Sequence, residues 1–315
     1  KELLHDAFVY SMKYYNKHFP HLIKNVPLLH IAQNEADEES LKLYKQNTSL
    51  KLFEPSEVLL NSLTKEAQAK ENVSINAGIV NAELMCQAMA KSAKIVIHEV
   101  KNLVYDDGLW IIDEIYAAKE VVLATGAYKK LIKEPYIKLR GVWGHRIDIS
   151  TSSKSTHSLH QFVSISPSNN GKLAIGATHN LHYHPQTSNE EYDVQEGRVE
   201  LLEKASRTLR LDNIKIEKDY MGLRSGSFDY MPLLGKLVMS QETLHNNFIN
   251  FKTKKPNFKE YDYYPNLSMI NGSGGYGFVL APYLAKILKE HIIQDKEISD
   301  RISPARFFAR YAKKI

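Results

Sequence analysis

Cysteine is nearly absent: Cys86 is the single one in 315 residues. That excludes an internal disulfide and fits a reducing compartment, so the cytoplasm is the expected location. Long apolar runs are missing as well. No stretch approaches the roughly 20 apolar residues of a membrane span, and nothing reads as a secretory signal, so no membrane partner is expected. Metal-ligand grammar is also lacking. His179, His182 and His184 crowd into HNLHYH, but no cysteine or patterned carboxylate accompanies them, and no metal is expected. Neither sign of charge is in large excess. A net charge of +5 permits an anionic partner such as RNA without requiring one. Internal repeats, low-complexity tracts and a linker between two sequential domains are absent too.

What remains is ordinary globular composition, 43% hydrophobic and 24% charged, in a chain long enough for two cores. Periodicity and capping residues predict helices at Glu2–Tyr15, Glu35–Lys45, after Asn81, from Asp193 to about Leu209, and at Phe278–Ile293. Strands are expected at Val26–Ile31, Val73–Val80, Lys94–Val100, Leu109–Ile115, Glu120–Thr125, Leu139–Ile149, Gln161–Ile165, Leu173–Thr178, Ile214–Met221 and Leu267–Ile270. Asp106, Asp107 and Gly108 supply a hairpin turn. Lys236–Asn266 reads as an inserted helix and loop. The order argues for an α/β nucleotide domain interleaved with a mostly antiparallel sheet, an α+β mixture within one module.

Gly272, Gly274 and Gly277 spell G-x-G-x-x-G between a strand and a helix. The segment that follows, QDKEISDRISPARFFARYAKKI, contains no strand-like run, so this is not the opening of a dinucleotide-binding βαβ unit. A glycine loop lets backbone approach a ligand closely. The helix start adds unpaired N–H groups and partial positive charge. Together they suit an electron-rich, partly anionic acceptor. A tight turn before a core helix explains the same glycines, and the pattern alone leaves both readings open.

Nine segments in order carry a resemblance: DAFVYSMKYYN, AGIVNAELMCQAM, the strand ending HEV, VVLATGA, LRGVWGHRI, LAIGATHN with DVQEGRVELLEKA, GLRSGSFDYMPLLG, NGSGGYGFVLAP and SPARF. Over nearly its whole length the chain resembles the FAD-dependent oxidases of the D-amino-acid oxidase type. Within them it is most similar to the oxidoreductase half of the bifunctional tRNA 5-methylaminomethyl-2-thiouridine biosynthesis family. The resemblance implies a Rossmann-like FAD-binding domain interleaved with an antiparallel substrate domain. The FAD segments would be about 1–20, 74–136 and 222–315, and the substrate segments about 21–73 and 137–221. The family's N-terminal phosphate-binding turn has no counterpart here, and the chain starts at Lys1 inside a helical pattern. A fragment lacking its N-terminal βαβ unit is therefore expected.

Residue by residue, the resemblance implies FAD contacts from Val100, Ala124, Thr125, Gly126, Gly141 and the turn Gly272, Ser273, Gly274, Gly275, Tyr276 and Gly277. Arg224 would grip the substrate carboxylate, since a planar guanidinium makes two parallel charge-assisted bonds to it. A surface ion pair is the plainer reading of that arginine. Asp229 would fix the local turn. His145 would contact substrate or serve as a structural histidine. Lys252, Lys254, Lys255 and Lys259 beside Tyr261, Tyr263 and Tyr264, and Arg301, Arg306, Arg310, Lys313 and Lys314 in the tail, suit RNA phosphates and bases. They equally suit a solvated loop and an amphipathic tail helix.

The activity implied is FAD-dependent oxidation of the carboxymethylaminomethyl group on a tRNA wobble uridine, releasing glyoxylate and leaving aminomethyluridine. Methylation with S-adenosylmethionine would belong to an upstream methyltransferase domain that these residues do not encode. Two other readings stay open: a free glycine or D-amino-acid oxidase with no RNA partner, and an inactive RNA-binding scaffold derived from an oxidase.

Overall fold

The computed structural model describes residues 2–128, 131–247, 251 and 257–315. Lys252, Lys254 and Lys255 lie outside the described residues. The chain divides into two units, one of Lys1–Tyr14, Ser92–Val142 and Arg224–Ile315, the other of Tyr15–Lys91 and Trp143–Leu223.

The second unit is built on a mostly antiparallel sheet. Its strand order is Lys215–Ser227, Leu139–Ser150, Lys172–Gly176, Ser164–Ile165, Ser158–His160, Ile23–Ile31, Asn72–Val80 and Leu52–Phe53. The division between the units falls inside the first two of these strands. Period-2 alternation puts Ile147 and Ile149 on one face, where they are buried with Leu29, Leu159 and Ile175. The helix Val194–Ser206 covers that face with Gly197, Leu201 and Ala205, spaced four apart. Each fully buried leucine here contributes about 2 kcal/mol. Helix starts follow their capping residues: Asn34 accepts from Asp37 N, Asn81 from Leu84 N, and Asp193 from Gln195 N and Glu196 N.

The first unit holds a three-stranded sheet in which Leu233–Val238 runs antiparallel to Tyr263–Asn271, and Tyr263–Asn271 runs parallel to Val121–Leu123. A meander of Leu103–Asp106, Leu109–Ile112 and Tyr116–Ala118 turns through Asp107 and Gly108, both at positive φ. The helix Gly277–Gln294 buries Leu280, Leu284 and Leu288 against Ala7 and Leu234. The tail forms the helix Ala305–Ala312, whose Phe308 packs with Tyr136, Phe251 and Tyr261.

Four expectations are corrected. Residues 74–91, expected with the FAD segments, belong to the second unit, because Asn72–Val80 pairs along its whole length with Ile23–Ile31. Lys94–Val100 forms no strand, since no described strand pairs with it; Ile95, Val96 and Ile97 are exposed. The Ile214–Met221 strand runs on through GLRSGS to Ser227, carrying Arg224 on a strand rather than a loop. Lys236–Asn266 is less of an insertion than its polarity suggests, for strand residues occupy both its ends.

Candidate functional site

The parallel pairing of Val121–Leu123 with Tyr263–Asn271 decides where the glycine motifs meet. Parallel strands end at the same edge of a sheet, so the turns that follow them emerge together. Ala124, Thr125 and Gly126 leave the first strand and Gly272 leaves the second. Asn271 joins the two turns. Its Nδ2 donates to Gly126 O at 3.0 Å, and its Oδ1 accepts from Gly272 N at 2.8 Å. Gly126, Gly272 and Gly274 all sit at positive φ, where a side chain costs strain. Behind the Gly126 turn lies a small apolar hollow lined by Leu123, Leu139 and Met269.

The space in front of the turns is open. A Cβ added at Gly126, Gly274 or Gly277 would meet nothing within 4 Å. Gly274–Tyr276 forms a short 3-10 turn, and Gly277–Gln294 begins with no side-chain cap. A helix start carries partial positive charge, and no side chain caps this one. Tyr276, at the cap position, is exposed.

Arg224 stands against this turn. Its Nη1 lies 3.7 Å from where a Cβ on Gly275 would be, and a bridge between Gly226 and Ser273 ties its strand to the turn. Burial lowers its pKa from the usual arginine value. Close by, Arg140 Nε and Ser225 Oγ are buried with no hydrogen-bond partner among the described residues. Arg140 Nε is 3.9 Å from a Cβ position on Gly226. Gly141 follows Arg140 in the same strand. Val100 is half-buried in the unpaired stretch.

His145 lies in the other unit and is fully buried. Its Nε2 is 2.9 Å from Asp219 Oδ1, its Nδ1 is 3.4 Å from Tyr192 Oη, and its backbone N–H donates to Thr178 Oγ1. Arg198 forks onto the same Asp219. Arg198's hydrogen bonds, against partial burial and aided by His145, hold Asp219 down at about 2. Trp143, Tyr183 and Tyr192 pack as a ring cluster beside the histidine. With both ring nitrogens engaged and no exposed surface, His145 does the work of a structural histidine.

The tail arginines separate. Arg306, expected as an RNA contact, is buried: Nε and Nη2 fork onto Asp229 at 2.8 and 2.9 Å, and Nη1 and Nη2 donate to the Ser303 and Met231 carbonyls. Four of its five N–H donors are engaged within the fold and the side chain is buried, so it does not face a phosphate. Burial pushes Asp229's pKa upward, but Arg306, the Met231 N–H and the Ser227 hydroxyl together outweigh it and the net direction is down. Asp229 also accepts from Ser227 Oγ and Met231 N, fixing the turn as expected. Arg310 is exposed, 3.8 Å from Asp229. Among the described residues no group of three or more His, Cys, Asp or Glu side chains could hold a metal, and no helix is long and apolar enough to cross a membrane.

Asn271 and the Arg306–Asp229 clamp were not singled out from sequence. A polar Asn ending an apolar strand, just before Gly272, is the signal that was available. Nothing local announces a partner 77 residues away.

Comparison with known proteins gives this arrangement a context. The family described as FAD dependent oxidoreductase matches residues 3–291. The tRNA 5-methylaminomethyl-2-thiouridine biosynthesis bifunctional protein MnmC of Legionella pneumophila (strain Corby) is 24% identical over 96% of this chain and 48% of its own length. Its namesake from Dichelobacter nodosus (strain VCS1703A) is 34% identical over 31% of this chain and 17% of its own. The chain thus spans at most about half the length of these relatives. Among solved structures, L-proline dehydrogenase from P. horikoshii superposes with a TM-score of 0.70 at 16% identity, covering 97% of this chain and 82% of that one. Glycine oxidase from Bacillus cereus ATCC 14579 gives 0.68 at 17%, covering 94% and 81%. These likenesses establish the fold.

Proposed function

This chain belongs to the FAD dependent oxidoreductase family, and from that premise we propose that it oxidises the carboxymethylaminomethyl group of a tRNA wobble uridine, releasing glyoxylate and leaving aminomethyluridine. The relatives named for tRNA 5-methylaminomethyl-2-thiouridine biosynthesis support the RNA substrate, and a cytoplasmic reaction is part of this proposal. The bound flavin supplies a hydride acceptor for the carbon beside the amine nitrogen.

The residues present fit that cofactor. The glycines at 126, 274 and 277 face open space where a Cβ is missing, and the helix start, which no side chain caps, would add its partial positive charge. The buried Nε of Arg140, beside Gly226, is left with an open donor among the described residues. Ala124, Thr125, Gly126, Gly141 and the 272–277 turn would hold it.

Arg224 would clamp the substrate carboxylate beside this turn. A guanidinium makes two parallel bonds to a carboxylate, which fixes the adjacent carbon for reaction. The single observation that carries the reading is Nη1 of Arg224 standing on the glycine turn, 3.7 Å from the Cβ position of Gly275. No side-chain base is assigned: the substrate amine reacts neutral, and the carboxylate grip orients it.

The test is Arg224→Ala in the full chain loaded with FAD. Losing two charge-assisted bonds, about 3 kcal/mol together, should lower kcat/KM on the modified tRNA about 100-fold, with flavin content unchanged. Arg224→Lys should recover part of the loss, since it keeps the charge but not the fork. Wild-type kinetics in the alanine variant would overturn the assignment. Oxidation of free glycine with none of the modified tRNA would point to a free amino-acid oxidase.

A further inference from the structure

The turn between the Lys215–Ser227 and Leu233–Val238 strands displays two aromatic rings to solvent. Phe228 is 54% and Tyr230 is 76% exposed. Rings of this size usually bury most of their area, so a pair on one tight turn needs an explanation. Tyr230 is also held at φ +59°, a region bulky residues avoid. Such strain persists only where the surroundings enforce it, and it clusters at functional sites.

The enforcing contacts are on both sides of the turn. Asp229, between the two rings, accepts from Ser227 Oγ and Met231 N, and is gripped by the buried Arg306 fork. Beneath the rings lies Arg140, its guanidinium carbon 4.7 Å from the Tyr230 centroid and 5.7 Å from that of Phe228. A cation against one face of a ring is an ordinary attraction. Here it braces the rings, while much of their area stays open to solvent. Arg140 lies beside Gly226, the residue bridged to Ser273 of the glycine turn. The rings therefore stand next to the proposed carboxylate clamp, on the same unit.

We propose that Phe228 and Tyr230, braced by Arg140 and fixed by the Asp229–Arg306 clamp, form a stacking platform for an unpaired nucleobase of the RNA beside the reacting nucleoside. The inference rests on the RNA reading above and extends it to a specificity subsite. Single-stranded RNA bases are held by stacking on aromatic side chains, and a cation behind the ring strengthens the contact. The platform is neutral at its exposed rings. It sets register rather than overall charge attraction, and Arg224 sets the position of the acid group.

The experiment measures binding of a fluorescently labelled anticodon stem-loop RNA to the full chain by anisotropy, across a salt series. Phe228→Ala and Tyr230→Ala should each weaken binding about tenfold, with Phe228→Trp and Tyr230→Trp restoring it. The slope of log Kd against log salt should stay at the wild-type value, because no phosphate contact is lost. Tyr230→Trp adds a direct readout, since a stacked base should quench the fluorescence of the introduced indole. Alanine variants that bind as tightly as wild type, or indole emission of the Tyr230→Trp variant unmoved by saturating RNA, overturn the platform. Failure of the wild-type chain to bind the RNA overturns the RNA reading and the platform with it. An Arg224→Ala variant that binds RNA normally but oxidises it poorly separates the clamp from the platform.

Discussion

Gly197 and Gly274 both belong to helix starts, and they face opposite environments. A Cβ on Gly197 would collide with Tyr192 Oη and His145 Nδ1. One on Gly274 would meet nothing within 4 Å. Around Gly197 most polar groups close on one another: His145, Asp219, Arg198 and Tyr192 satisfy each other, although Trp143 Nε1 in the same ring cluster is buried without a partner among the described residues. Around the Gly274 turn they do not close, and Arg140 Nε and Ser225 Oγ remain buried without partners among the described residues. Groups that satisfy one another stabilise one geometry, whereas donors left open beside bare backbone suit the ligand site proposed above. Histidine alone therefore misleads as a marker of chemistry in this chain.

The comparison breaks most readily at Gly197. In an exposed helix, glycine to alanine gains up to about 1 kcal/mol. Gly197→Ala should instead cost about 2–3 kcal/mol, because the methyl collides with two rings held by their neighbours. A urea melt gives the sign, and any stabilisation would show that the cluster is loose. Gly274→Asn is the counterpart. Asparagine tolerates positive φ, so stability should change by less than about 1 kcal/mol, yet the side chain enters the open space. Flavin absorbance of the purified variant should fall well below wild type. A full complement of flavin would mean that the space serves something else.

The smallest effect tests the closed unit by pH. Burial first, and the neighbouring His30 second, pull the His160 pKa down to about 4 from the usual 6.5. Between those values the unfolded chain binds the proton and the folded one does not, so stability should fall as pH drops from 6.5 towards 4. Above 6.5 both states are neutral and the histidine contributes no slope. His160→Gln should flatten part of that fall in urea midpoints taken near neutrality and near about pH 5. Parallel profiles for variant and wild type would rule His160 out as the source.

Local grammar accounts for what the sequence made legible. Asn81 and Asp193 are followed by helices, Asp106–Gly108 makes its turn, and Gly274 and Gly277 face open space at the start of a long helix. Long-range pairing accounts for what was hidden. Lys94–Val100 has the β-branched content of a strand, but a strand is defined by a neighbour, and no described residue supplies one. Arg306 reads as a free cation in the tail until the fold brings it to Asp229. The strand expected to end at Met221 continues through Gly222 and Gly226 because it is hydrogen-bonded to Leu139–Ser150 in the sheet. The Arg224 position next to Gly275 follows from that continuation.

Asn271 has a consequence for engineering. One side chain fastens the 124–126 corner to the 272 corner, although 145 residues separate its two ends. A hybrid gene that exchanged the first corner with a distant relative while keeping the second would inherit half of a fastening. Crossovers intended to retune this edge of the sheet should therefore carry both corners as one cassette.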